Sequence, residues 1–160
     1  MKKLLIIGSL ALFVLACGGS GENAADKTSE STEATSESAE KANPSYDPKR
    51  GEGKFTDVKI SATLDAAMAK KGEEVADLKC LSCHKTTDEK LVGPGWKDVT
   101  KRNTPEWIMN FITNTDAMID KDPKVQAMLE ICMVRMPNQS LSDDDARSIL
   151  EFMRKIDGVK

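Results

Sequence analysis

Apolar residues fall in blocks along this 160-residue chain, and the spacing inside the blocks changes character twice. Residues 4–16 form an apolar run behind Lys2 and Lys3, and residues 18–42 are mostly Ser, Thr, Glu, Ala and Gly. Apolar groups return over residues 43–60 as Pro44, Tyr46, Pro48, Phe55, Val58 and Ile60 in a Gly/Pro-broken context, which predicts an extended arm lying on a domain. From residue 61 the period becomes helical. Thr63 is a cap candidate for a helix over residues 64–79, with Leu64, Met68, Val75 and Leu78 near one face. Gly72 in its middle costs about 1 kcal/mol relative to Ala, which points to close approach of another helix. Thr104-Pro105-Glu106 opens a second helix carrying Trp107, Ile108, Phe111 and Ile112. Asp122-Pro123 opens a third through Val125, Met128, Leu129 and Cys132, which Met136-Pro137 is expected to end. Ser142, followed by three aspartates, caps a last helix with Ile149, Leu150, Phe152, Met153 and Ile156 on its apolar side. No stretch alternates with a period of two, so the predicted fold class is all-α, with four to five short helices.

The leading segments read as export and tethering. A charged start and a short apolar run over residues 1–16 make a signal peptide, too short for a comfortable membrane span. Val14-Leu15-Ala16-Cys17 resembles a bacterial lipobox, departing from it at Leu15, and makes Cys17 the candidate lipidation site. Residues 17–42 then form a disordered tether, because such a composition cannot offset its ordering entropy. From Cys17 to residue 60 a flexible chain spans about 35–40 Å root-mean-square. The folded domain is residues 61–160. Gly51-Glu52-Gly53-Lys54 lacks the full spacing of a phosphate loop. The net charge of −3 and the absence of a basic stripe exclude nucleic acid as a partner.

Chemistry enters at Cys80-Leu81-Ser82-Cys83-His84. Two thiols three positions apart with a histidine directly after them are the pattern for covalent c-type haem attachment. The sulfurs bond two vinyl groups at one edge of the porphyrin, and the next residue lies where an imidazole can bind the iron. A redox dithiol would be expected beside a βαβ pattern, and a zinc site would need two more N or S ligands. His84 is the only histidine, so bis-histidine ligation is excluded; methionine, lysine, the N-terminus or an open position remains for the second axial site. Aromatic residues make up only 4% of the chain, and a haem would supply the missing flat apolar surface.

Over residues 64–156 the chain resembles the class I cytochrome c family, in particular small bacterial monohaem members. Gly72 stands eight residues before Cys80, where the family's first helix has its crossing glycine, and Ile149 and Phe152 stand where the last helix packs across it. Ala76 departs from the pattern, since many members carry an aromatic there. The resemblance implies one covalent haem c held by Cys80, Cys83 and His84. It implies that the Pro94 carbonyl accepts the histidine's other N–H, with Trp96 of the same loop counted in the haem pocket. Arg102 follows Pro94 by eight residues, like the arginine that reaches a haem propionate, and Trp107 lines the pocket, bonds a propionate or packs in the core. The distal iron ligand is expected at Met136, with Met133 as the alternative, while Met109, Met118, Met128 and Met153 are flexible core fillers. Cys132 reads as a small buried apolar residue, with a redox-active thiol as the sharper alternative.

The implied function is single-electron transfer, not enzymatic turnover. The chain would be a monomer, lipid-anchored on the periplasmic face of the inner or outer membrane. Its donor would be a quinol-oxidising complex, and its acceptor a terminal oxidase or nitrogen-oxide reductase. The competing reading is a haem enzyme or gas sensor with an open sixth iron position. Residues 79–102 carry six basic against three acidic residues, which suggests a weakly basic docking face.

Overall fold

The computed structural model describes residues 46–160, and the expectations for the signal peptide, Cys17, the tether and Pro44 lie outside the described residues. Six helices follow one another: α1 (Ala66–Lys79), α2 (Val99–Arg102), α3 (Pro105–Thr113), α4 (Thr115–Lys121), α5 (Pro123–Cys132) and α6 (Asp143–Ile156), with no strand among the described residues. The all-α class holds, and the short helices α2 and α4 add to the four whose starts the sequence predicted. Neither carried a readable start. Residue Asp98 ahead of α2 and Asn114 ahead of α4 make no side-chain cap hydrogen bond.

Three helix starts follow the sequence signals. Thr104 accepts from the Trp107 N–H with Pro105 in the first turn of α3. Asp122 accepts from the Val125 N–H ahead of α5, and Ser142 from the Asp145 N–H ahead of α6. These bonds satisfy amides that a helix start would otherwise leave open. The end of α5 differs from expectation. Cys132 is its last residue and Met133 turns the chain at φ 55, so the helix stops before the Met136-Pro137 pair.

The core is built on the crossing of α1 and α6. A Cβ on Gly72 would lie 1.9 Å from the Ser148 carbonyl oxygen, so the two backbones touch there and only glycine fits. The start and the face of α1 differ from the expected ones. Leu64 donates to the Lys160 carbonyl, which keeps the chain extended past Thr63, and Asp65 becomes the cap by accepting from the Met68 N–H at 2.9 Å. The buried face is Ala69, Gly72 and Ala76, whereas Leu78 is 84% exposed. A close crossing selects small residues, which a reading by apolar size passes over. Ala76, where an aromatic was expected, is fully buried in it.

Residues 46–58 lie against α3 and α4. Asn110, fully buried, clamps them: its amide donates to the carbonyls of Arg50 and Phe55 and its oxygen accepts from the Phe55 N–H. Gly51, at φ +71, passes over Met118 and Trp107 with no room for a side chain. Within α6, Glu151 is fully buried and held by Arg147 at 2.7 Å, Arg154 at 2.6 Å and the Asp65 N–H at 3.0 Å.

Candidate haem site

The end of α1 presents the thiol pair. The Cys80 N–H closes the helix on the Ala76 carbonyl, and the N–H groups of Cys83 and His84 both turn back to the Cys80 carbonyl at 3.0 Å. That tight turn brings Cys80, Cys83 and His84 to one edge of the fold. Residues 83–97 then fold back on themselves, with Gly93 donating to the Cys83 carbonyl at 2.9 Å and Trp96 to the Lys85 carbonyl at 2.8 Å. The loop delivers Pro94, whose carbonyl lies 2.8 Å from His84 Nδ1. A proline carbonyl only accepts, so Nδ1 carries the proton and Nε2 is left free as a donor of electrons. Gly93 makes room for the ring: a Cβ there would lie 2.3 Å from His84 Cε1. Trp96, 6% exposed, backs the imidazole at 5.6 Å and meets Phe152 of α6 edge-on at 6.4 Å.

Burial pushes the Cys80 thiol up to about 11 and pushes His84 below its ordinary value, against the pull of the Pro94 hydrogen bond. The imidazole is therefore neutral at physiological pH, as a metal ligand must be. A Cys80 thiol raised this far is a poor attacking group, which argues against the redox-dithiol reading. Among the described residues no group of three or more His, Cys, Asp or Glu side chains converges as a metal site, which leaves the zinc reading without its further ligands.

A largely apolar space opens in front of His84 in two adjoining lobes, a larger and a smaller. His84, Pro94, Phe111, Met128 and Met136 border both lobes. Cys80, Trp96, Trp107 and Ile149 line the first, and Cys83, Leu129 and Cys132 the second. Met136 is half-buried on this wall, and the distal segment is tied down by Arg135, which bonds Asp120 at 3.0 Å and Asp116 at 3.3 Å on α4. Met133 is 84% exposed and is no part of the wall. Met109, Met118 and Met153 are buried, Met153 also bordering the larger lobe, and Met128 borders both lobes. Cys132 is half-buried at the rim, more open than the buried reading expected.

One end of the larger lobe is polar. Arg102 is exposed there and donates one guanidinium N–H to the Lys97 carbonyl at 2.6 Å. Asn103, Lys124 and Gln139 also line this lobe, with Lys124 donating to Asn103 at 2.9 Å, and sequence reasoning missed all three. Trp107 lines the space, but its indole N–H donates to Asp122 at 2.7 Å and so is spent. The propionate-bonding role weighed for Trp107 is corrected on that ground.

A family model for cytochrome c matches residues 69–157. The chain belongs to the cytochrome c family. Its fold resembles cytochrome c from Rhodothermus marinus, with 35% identity and a TM-score of 0.64 over 66% of this chain and 90% of that one. An engineered form of that cytochrome, Rma TDE, aligns at 33% identity and a TM-score of 0.66 over 69% of this chain and 98% of that one. The same engineered protein bound to a carbene intermediate aligns at 33% identity and a TM-score of 0.63 over the same shares. No curated protein sequence matches the chain. As a class I c-type cytochrome it binds one covalent haem c and transfers electrons. The residues present fit that group: two thiols and a neutral, oriented imidazole border an apolar space, a thioether shares the same wall, and glycine supplies the clearance under the ring.

Proposed function

We propose that this cytochrome is a membrane-tethered single-electron shuttle whose iron is closed by two protein ligands. In this reading Cys80 and Cys83 hold the porphyrin, His84 Nε2 is the proximal ligand and Met136 the distal one. Bound haem supplies one-electron cycling of iron. The residues of the chain do the rest. The Pro94 carbonyl fixes the imidazole tautomer and raises its basicity. Arg102, with Asn103 and Lys124 beside it, offers donors to the two carboxylates. The apolar walls exclude water and so limit rearrangement between oxidation states.

The observation that carries the proposal is that His84 and Met136 border one apolar space beside the thiol pair. The test is the absorption spectrum of the oxidised protein. Wild type should show the weak red band of sulfur–iron ligation, and Met136→Ala should lose it while Met133→Ala keeps it. The second reading, an open-position haem enzyme, has one observation in its favour: the smaller lobe leaves apolar room beside Met136. Carbon monoxide binding to reduced wild type would select that reading.

Delivery of the electron needs a docking face. Around the mouth of the smaller lobe, Leu91, Val92, Ile131, Met133 and Val134 are all exposed. The cations expected to make this face basic are engaged locally. Lys85 pairs with Glu89, Lys97 with Asp88 and Lys101 with Asp98, while Lys79 and Lys90 bond carbonyls of Gln139 and Ile131. An apolar collar carries docking in this proposal, ahead of the positive charge that Lys79, Lys90 and Arg102 retain. Cys17 lipidation and the 17–42 tether would hold the domain at the periplasmic face of a membrane, within reach of a quinol-oxidising donor and an oxidase or nitrogen-oxide reductase as acceptor.

A further inference from the structure

Two carboxylates are buried almost completely in this fold, Glu151 at 0% and Asp122 at 1% exposure. They are satisfied in opposite ways. Glu151 has two arginine partners. Asp122 has no cation among its side-chain partners in the described residues: Oδ1 accepts from the Val125 N–H at 3.0 Å, and Oδ2 accepts from the Trp107 indole at 2.7 Å and from the Tyr46 hydroxyl. All three groups are placed to donate to it, an arrangement that suits a side chain that only accepts. Burial, reinforced by this carboxylate, pushes the Tyr46 phenol above its ordinary value, which keeps it a donor. An isolated buried charge is expensive. A helix cap alone does not require one, since serine or asparagine caps as well. Lys124, over the Trp107 ring at 4.8 Å from its centroid, is exposed and bonded to Asn103, where water screens it.

Trp107 connects this charge to the haem space: one part of the indole lines the space and its N–H is held by Asp122. We infer that Asp122 is a positioning residue for electron transfer, a fixed buried anion behind Trp107 that lowers the reduction potential, with Tyr46 of the arm moderating its charge. The inference rests on the haem-ligand reading above. The oxidised site carries one more positive charge than the reduced one. A fixed anion in a water-excluded region favours that state. Removing the charge raises the potential. Removing a donor that shares the charge leaves the anion less compensated and lowers it.

The experiment is spectroelectrochemical titration of the mature holoprotein, comparing wild type with Asp122→Ser, Asp122→Asn and Tyr46→Phe. Serine and asparagine both keep a cap acceptor for Val125 without the charge. At the wild-type midpoint the reduced-to-oxidised ratio should rise at least threefold in the Asp122 variants, which at 59 mV per tenfold is about 28 mV. It should fall in Tyr46→Phe. Looser packing or added water would move all three variants the same way, so the opposite sign carries the test. An unchanged potential in whichever Asp122 variant matures overturns the inference, and so does an upward shift in Tyr46→Phe, which decides alone if neither Asp122 variant folds. The red band of each sample reports separately on the iron ligands. Its absence from wild type would sink the ligand reading, whereas its presence with unmoved potentials would sink only the role of Asp122.

Discussion

Gly93→Ala tests how the loop holds the histidine. The added Cβ would lie 2.3 Å from His84 Cε1, 2.7 Å from Nδ1 and 2.8 Å from Nε2, where ordinary contact begins at 3.4 Å. The ring must retreat by about 1 Å, which stretches a good hydrogen bond to Pro94 beyond bonding range. The loop cannot easily yield instead, because the Gly93 N–H is bonded to the Cys83 carbonyl at 2.9 Å and its own carbonyl accepts from Leu91 at 3.1 Å. Loss of a neutral hydrogen bond is worth about 1 kcal/mol. Loss of the partner that orients a metal-bound histidine weakens ligation by about 10–100-fold, or about 1.4–2.7 kcal/mol, and this includes the first effect. The expected destabilisation is therefore about 2 kcal/mol. With a urea slope of about 2 kcal/mol/M, the unfolding midpoint of the ferric protein falls by about 1 M. The assay is urea titration followed in parallel by far-ultraviolet circular dichroism and by the iron absorption bands, with the Nδ1 proton located by NMR. The reasoning fails if Gly93→Ala unfolds at the wild-type midpoint and the Nδ1 proton resonance is unmoved.

Gly72→Ala is the matching control: its Cβ meets the Ser148 carbonyl oxygen at 1.9 Å, so stability should fall by about 1–3 kcal/mol while the red band of the folded fraction stays in place. Glu151 gives a pH prediction. Burial pushes its carboxyl up, but the Asp65 N–H, Arg147 and Arg154 outweigh burial and hold it below its ordinary value. Its contribution is therefore complete above that ordinary value and is lost as pH falls through the lower folded one. Glu151→Gln should lose about 3 kcal/mol at neutral pH and show a flatter stability profile through that acid window, read by thermal melts at successive pH values. For the docking face, electron-transfer rates to a physiological acceptor should change little with ionic strength, and Val134→Asp should slow them at least several-fold. Rates that fall steeply with salt while Val134→Asp stays normal would restore the basic face.

The parts of this protein that were legible in the sequence are those whose code is short-range. Thr104, Asp122 and Ser142 cap helices because their side chains reach amides three residues on. Two cysteines and a histidine within five positions encode one attachment point. The face of α1 was misread because burial there follows close backbone approach, which favours Ala69, Gly72 and Ala76 over Leu78. The short helices α2 and α4 were missed because no side chain caps their starts. That Met133 stands in solvent while Met136 borders the space was not legible either, because it follows from a left-handed residue at 133.

By itself, then, the sequence determined an all-helical chain, its principal helix starts and a thiol–thiol–imidazole attachment point, because each depends on neighbours a few residues apart. Only the tertiary structure decided that Pro94 orients the imidazole, that Met136 borders the same space and that Trp107 gives its N–H to Asp122. It also showed that Lys85, Lys97 and Lys101 are paired with Glu89, Asp88 and Asp98. These are meetings between side chains ten to fifty positions apart, or between locally compatible charges whose pairing the packed loops select. No local propensity specifies them.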